Sequence, residues 1–196
     1  MNVVEHYDKL IDENNDPFHD PKPLQEYMNL WDGEVFLHSM CLTGKETVLE
    51  VGVGTGRIAV KVIPNCAYFT GVDISPKTIN RAKDNLSAYG GVDLICADFL
   101  NHNFTKLFDV VYSSLTLMHF EDKQAFISKV SSLLKDNGKF VLSIDKNQDI
   151  YIDMGNEKLL VYPDTPDKVI DCVEKAEMKI INRYETEFAY IFICLK

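Results

Sequence analysis

Apolar positions along the chain switch repeatedly between a strand-like and a helix-like period. A short β-branched run, residues 46–51 (ETVLEV), ends at the glycines of GVGTG, and the RIAVKVI that follows has helical spacing. A second run, 67–72, ends at Asp73; Ser75 and Pro76 then supply an N-cap and a first-turn proline for a helix over 76–88, which Gly90-Gly91 stops. Residues 92–97 and 108–113 read as strands three and four. Residues 122–135 read as a helix with Phe126, Ile127, Val130, Leu133 and Leu134 on one face, closed by a left-handed cap at Asn137-Gly138 before strand five at 139–144. Runs such as VVY and FVLSI suit strands covered on both faces, and repeated strand–helix units imply a parallel, doubly wound α/β sheet.

The rhythm changes near residue 148. IYIDM and KLLVY flank Gly155-Asn156 as a hairpin over 148–162, Thr165-Pro166 starts a helix through Met178, and 179–187 with 189–195 form an antiparallel pair at a sheet edge. Ahead of the sheet, an Asp/Asn/Pro-rich stretch (NDPFHDPKP) and one amphipathic helix from about Leu24 to Met40 read as a lid over 1–40. The expected organisation is a single domain over 1–196: lid, core at 44–146, hairpin insert, and a C-terminal helix with two strands over 165–196.

Composition narrows the function. With 196 residues, 46% hydrophobic and 26% charged, the chain is an ordinary packed protein, and its formal charge of −10 disfavours nucleic acid and anionic membranes as partners. Cys41, Cys66, Cys96, Cys172 and Cys194 stand singly, so reduced, mostly buried thiols and no metal site are expected. The start, MNVVEHYDKLIDEN, lacks a signal peptide's basic and apolar regions, and no run reaches the roughly 20 apolar residues of a membrane span, so a cytoplasmic location is expected.

In an open parallel sheet the ligand site lies beyond the carboxyl ends of the strands. The loop Glu50-Val51-Gly52-Val53-Gly54-Thr55-Gly56 sits there, where glycines permit a tight turn and close approach of backbone to a nucleoside-bearing ligand. Asp73, ending strand two, is placed for both hydroxyls of a ribose, and Asp98, ending strand three, for an adenine amino group between Phe99 and Ile74. The dinucleotide spacing fails, because Arg57 stands where a third glycine belongs, and Glu50 suits a sulfonium or ammonium better than a pyrophosphate.

These segments resemble the class I S-adenosylmethionine-dependent methyltransferases. VLEVGVGTGRIA matches that family's first motif, and GVDIS, CADF, FDVVYSSLTLMHF and LLKDNGKFVLSID follow in the family's order across about residues 44–146. The resemblance implies a Rossmann-like sheet of seven strands with an antiparallel last strand, and S-adenosylmethionine as cofactor with S-adenosylhomocysteine as product. It implies that Glu50 and the backbone of Gly52, Gly54 and Gly56 hold the methionine end, that Asp73 binds the ribose and Asp98 with Phe99 the adenine, and that Ser114 borders the methyl group and the acceptor.

Methyl transfer from a sulfonium requires alignment and exclusion of water, with a base only where the acceptor must lose a proton. His119, after strand four, is the candidate base, with packing as the alternative. Tyr7 and Trp31 are candidate acceptor contacts from the lid, the alternative again being core packing. Asp145, ending strand five, touches substrate or caps a turn, and the hairpin selects the acceptor or forms a homodimer edge. The expected activity is methyl transfer to a small molecule. A silent adenosyl-cofactor-binding regulator and an NAD-dependent oxidoreductase are the competing readings.

Overall fold

Strand parity explains the architecture seen in a computed structural model, which describes residues 1–153, 155 and 157–196. In β1 (Thr47–Val51) the side chains of Val48 and Leu49 are both fully buried but belong to opposite apolar layers, as do Val110 and Val111 of β4 (Phe108–Ser114). Both faces of the sheet are covered, which is why these strands read as unbroken apolar runs.

With β2 (Tyr68–Asp73), β3 (Val92–Cys96), β5 (Leu134–Asp145), β8 (Lys179–Glu185) and β9 (Ala189–Leu195), these strands form a seven-stranded sheet of order β3-β2-β1-β4-β5-β9-β8. The first five pair in parallel, and β9 inserts antiparallel between β5 and β8. One apolar layer takes in Phe126 and Val130 of α6 (Lys123–Leu133) and Val169 and Val173 of α7 (Pro166–Lys175). The other takes in Phe36 of α3 (Gly33–Ser39), Val62 of α4 (Ala59–Val62) and Ile79 of α5 (Pro76–Asn85). Ser75 and Thr165 cap α5 and α7 through their side chains, each followed by proline, as their sequences require.

The structure corrects four expected helices. The expected lid helix from Leu24 to Met40 is two helices, α2 (Lys22–Met28) and α3, because Gly33 takes φ +73° and Asp32 turns its carboxylate onto the Gly33 N–H at 2.8 Å. A right-handed helix cannot continue through that conformation. Helix α6 stops at Leu133, since Leu134 is already extended and paired with Phe108; Asn137, at φ +62°, bends β5 instead of capping the helix. Helices α5 and α7 end at Asn85 and Lys175, short of the expected 88 and 178.

The lid also contains α1 (Val3–Asp12), opened by a capping box between Asn2 and Glu5. The 148–162 segment forms its own antiparallel ladder of β6 (Tyr151–Asp153) and β7 (Lys158–Leu160); Asn156 of the expected turn lies outside the described residues. Of the five cysteines, Cys172 and Cys194 are buried, Cys66 is half-buried, and Cys41 and Cys96 are exposed, so the expected mostly buried set is not found. Among the described residues, no helix is long and apolar enough to cross a membrane.

Candidate active site

The parallel strands deliver their carboxyl ends to one cavity of about 490 Å³. The loop after β1 forms its floor. Gly52 has φ +81°, and a Cβ there would fall 2.1 Å from Thr116 Oγ1, so glycine is required both by conformation and by close approach. Gly54, at φ +56°, has open space where a Cβ would project and donates its N–H to Asp73 Oδ2 at 3.0 Å. Gly56 packs its Cα side against Leu86 and does not line the cavity.

Asp73 accepts from the Ser75 N–H at 3.0 Å through its other oxygen. Burial raises its carboxyl pKa, against the pull of these backbone donors. Each oxygen keeps a lone pair for a further donor such as a ribose hydroxyl. Asp98 is similarly placed, accepting from Leu100 N–H at 2.9 Å and Asn101 Nδ2 at 2.6 Å, while Phe99 and Ile74 contribute apolar wall. Ser114 lines the cavity, its hydroxyl donating to Asp32 Oδ2 at 3.0 Å.

Two residues expected separately meet here. Tyr7, on α1, lies with its hydroxyl 2.8 Å from His119 Nε2, and both line the cavity. Helix α1 is held in that pose by Asp8, which accepts from Ser75 Oγ at 2.7 Å and Lys77 N–H at 3.1 Å at the start of α5. Its Lys9 also reaches Glu157 of the hairpin at 3.1 Å, an exposed contact of small energetic weight. Tyr162 brings the hairpin's exit strand to the same cavity.

Burial, with smaller contributions from His6 and Lys123, lowers the His119 imidazole from 6.5 to about 4. Between those two values the unfolded chain binds a proton that the folded protein refuses. The stability contributed by the neutral imidazole is therefore fully present above about pH 6.5 and is lost as pH falls towards about 4, by roughly 3 kcal/mol for the full shift. Buried His6 is lowered in the same direction. Denaturation midpoints of wild type and His119→Asn, compared at about pH 7.5 and about pH 5, should show a shallower acid loss in the variant; equal losses would mean that His119 is already protonated in the fold.

Besides Gly56, three expected residues stand elsewhere. Glu50 is 2% exposed; its parity along β1 matches Val48, so it points into the layer below the loop, where it accepts from the Tyr112 hydroxyl at 2.7 Å. Burial holds its carboxyl well above the ordinary range. Trp31 packs on Phe188 and Tyr27, and its carbonyl accepts from Ser143 Oγ at 2.6 Å, so it serves packing and not the cavity. Asp145 accepts from the Asn147 N–H at 2.8 Å and borders a separate small recess under the hairpin, the turn-capping alternative.

Sequence reasoning missed two buried ion pairs that frame the site. Arg57 forms a two-point contact with Asp32 at 3.1 and 2.6 Å, joining the glycine loop to the lid. Lys123, 1% exposed, pairs with Asp164 at 2.8 Å and donates to the carbonyls of Leu117 and Tyr162 at 2.8 and 2.6 Å. It thereby fastens the turn that carries His119 to the hairpin's exit strand. A lysine at a helix start ordinarily reads as solvated, and no local signal marks this one as buried.

A seven-stranded sheet of this order, with a glycine loop after its first strand and acidic residues ending the next two, defines a Rossmann-like methyltransferase fold. Residues 49–142 match the family described as a methyltransferase domain. That segment is a class I S-adenosylmethionine-dependent methyltransferase domain. A malonyl-[acyl-carrier protein] O-methyltransferase from Ilyobacter polytropus is 30% identical over 118 residues, covering 59% of this chain and 43% of that protein. The chain spans about half the length of the curated relatives it matches, 43% and 57% for two of them. Magnesium protoporphyrin IX methyltransferase from Synechocystis PCC 6803, solved with bound S-adenosylmethionine, shares the fold at a TM-score of 0.76 and 16% identity, over 99% of this chain and 95% of that one. A [4+2]-cyclase shares it at 0.69 and 16%, over 83% and 79%.

Proposed function

We propose that the protein is an S-adenosylmethionine-dependent methyltransferase acting on a small-molecule acceptor. One observation carries the reading: a single cavity is lined at once by the Gly52–Gly54 loop, by Asp73 and Asp98, and by the Tyr7–His119 pair. The charges fit a sulfonium. Asp73, Asp98, Glu121 and Asp122 line the cavity, and no lysine or arginine does so among the described residues, which opposes the pyrophosphate of a dinucleotide.

S-adenosylmethionine supplies, when bound, a methyl group activated by its positive sulfur. Asp73 holds the ribose and Asp98 the adenine, between Phe99 and Ile74. Glu50 acts from beneath, accepting a hydrogen bond from the Tyr112 hydroxyl and fixing the strand from which the glycine loop departs. The neutral Tyr7–His119 pair orients the acceptor, and α1 with the hairpin excludes water, so alignment and desolvation are this chain's main contributions. The acceptors named for the relatives differ, so none is carried over.

Calorimetric titration with S-adenosylmethionine, S-adenosylhomocysteine and NADH tests the reading. The expected result is binding of both adenosyl compounds in roughly the micromolar range and none of NADH. NADH binding alone would transfer the site to an oxidoreductase. Binding without methyl transfer to any acceptor in a broad screen would leave a cofactor-binding regulator.

A further inference from the structure

Three cations near the cavity are engaged within the fold. Lys123 is enclosed by two carbonyls and Asp164, Arg57 is clamped by Asp32, and Lys129 donates to the carbonyls of Leu100 and His102 at 2.7 and 2.6 Å. Among the described residues, no lysine or arginine lines the cavity to meet a ligand's negative charge. The carboxylates divide into two sets. Asp73 ends β2 and Asp98 stands two residues beyond β3, whereas Glu121 and Asp122 directly follow the turn that carries His119. Asp122 caps α6 by accepting from the Ala125 N–H at 2.9 Å; Glu121 is exposed and makes no hydrogen bond or ion pair among the described residues. The same cavity is lined by apolar side chains and by His119, whose buried Nδ1 has no partner among the described residues. A neutral imidazole there adds no repulsion towards a cation and offers no charge to an anion.

We propose that the methyl-accepting group is an amine, drawn in as the ammonium by Glu121 and Asp122, and that acceptors bearing a carboxylate or phosphate at the reacting end are excluded. The proposal rests on the methyltransferase reading above. Burying an anion here would leave it unpaired, which is costly, whereas the cofactor's own carboxylate is offset by the ammonium on the same carbon. The acceptor enters as R–NH3+ and gives one proton to a rim carboxylate, and from there to water. The freed nitrogen lone pair forms the N–C bond while the C–S bond breaks with its electron pair passing to sulfur, leaving a thioether and a methylated ammonium.

The test uses two probes of matched shape and opposite charge, phenethylamine and phenylpropanoate, titrated calorimetrically into the full chain with and without S-adenosylhomocysteine. The expected result is binding of the amine at least about ten-fold tighter than the acid, with that ratio falling by about three-fold or more in Glu121→Gln/Asp122→Asn. The asparagine keeps the helix cap, so the variant tests charge and not folding. Equal or tighter binding of the acid, binding of neither probe, or an unchanged ratio in the variant would overturn the proposal. Absence of S-adenosylhomocysteine binding would instead overturn the methyltransferase reading, and the probe ratio in the ligand-free protein would still decide the charge preference.

Discussion

Lys123→Met is expected to destabilise the protein by about 3–5 kcal/mol, because it strands a charge inside the fold. Asp164 is 3% exposed and its ion-pair partner is Lys123; the carbonyls of Leu117 and Tyr162 would lose a donor as well. For a domain of this size the melting temperature should fall by roughly 6–20 °C. Lys123→Met/Asp164→Leu should recover more than half of the loss, since a buried ion pair replaced by apolar side chains of similar volume is often close to neutral. Thermal and denaturant unfolding of both variants checks this. A loss below about 1 kcal/mol in the single variant would mean that Asp164 sheds its charge or reaches water.

The second large effect falls on binding. Asp73→Ala should weaken S-adenosylhomocysteine by about 2–3 kcal/mol, roughly 30-fold to 150-fold, through two losses. The ribose loses a charged acceptor, and the glycine loop loses the carboxylate that receives the Gly54 N–H at 3.0 Å. Asp73→Asn, which keeps one carbonyl oxygen, should fall between wild type and alanine. Calorimetry gives the affinities, and a melting curve shows whether each variant is folded. Undiminished affinity in folded Asp73→Ala would remove Asp73 from the site.

Where the site residues come from explains which of them could be foreseen. Asp73, Asp98 and Ser114 occupy strand ends, and strand ends in a parallel sheet converge, so position along the chain was enough to bring them together. Tyr7 and His119 were legible as types only. Their 2.8 Å contact depends on Asp8 docking α1 at the start of α5, 67 residues away from it in the chain at Ser75. Glu50 shows the converse error, since its place beside the glycines suggested contact with the ligand, and only the parity of β1 with Tyr112 across the ladder turns it into the layer below.

The sequence by itself determined the order of strands and helices from β1 onward, the glycine loop, the acidic strand ends and the helix caps at Ser75 and Thr165. Each of these rests on interactions within a few residues or on a period along one element. The tertiary structure alone decided that Arg57 answers Asp32 and that Lys123 is sealed against Asp164. Those outcomes depend on partners 25 to 41 residues apart, whose meeting is set by how the layers pack, and a lysine or an aspartate carries no local mark of the dielectric in which it will end.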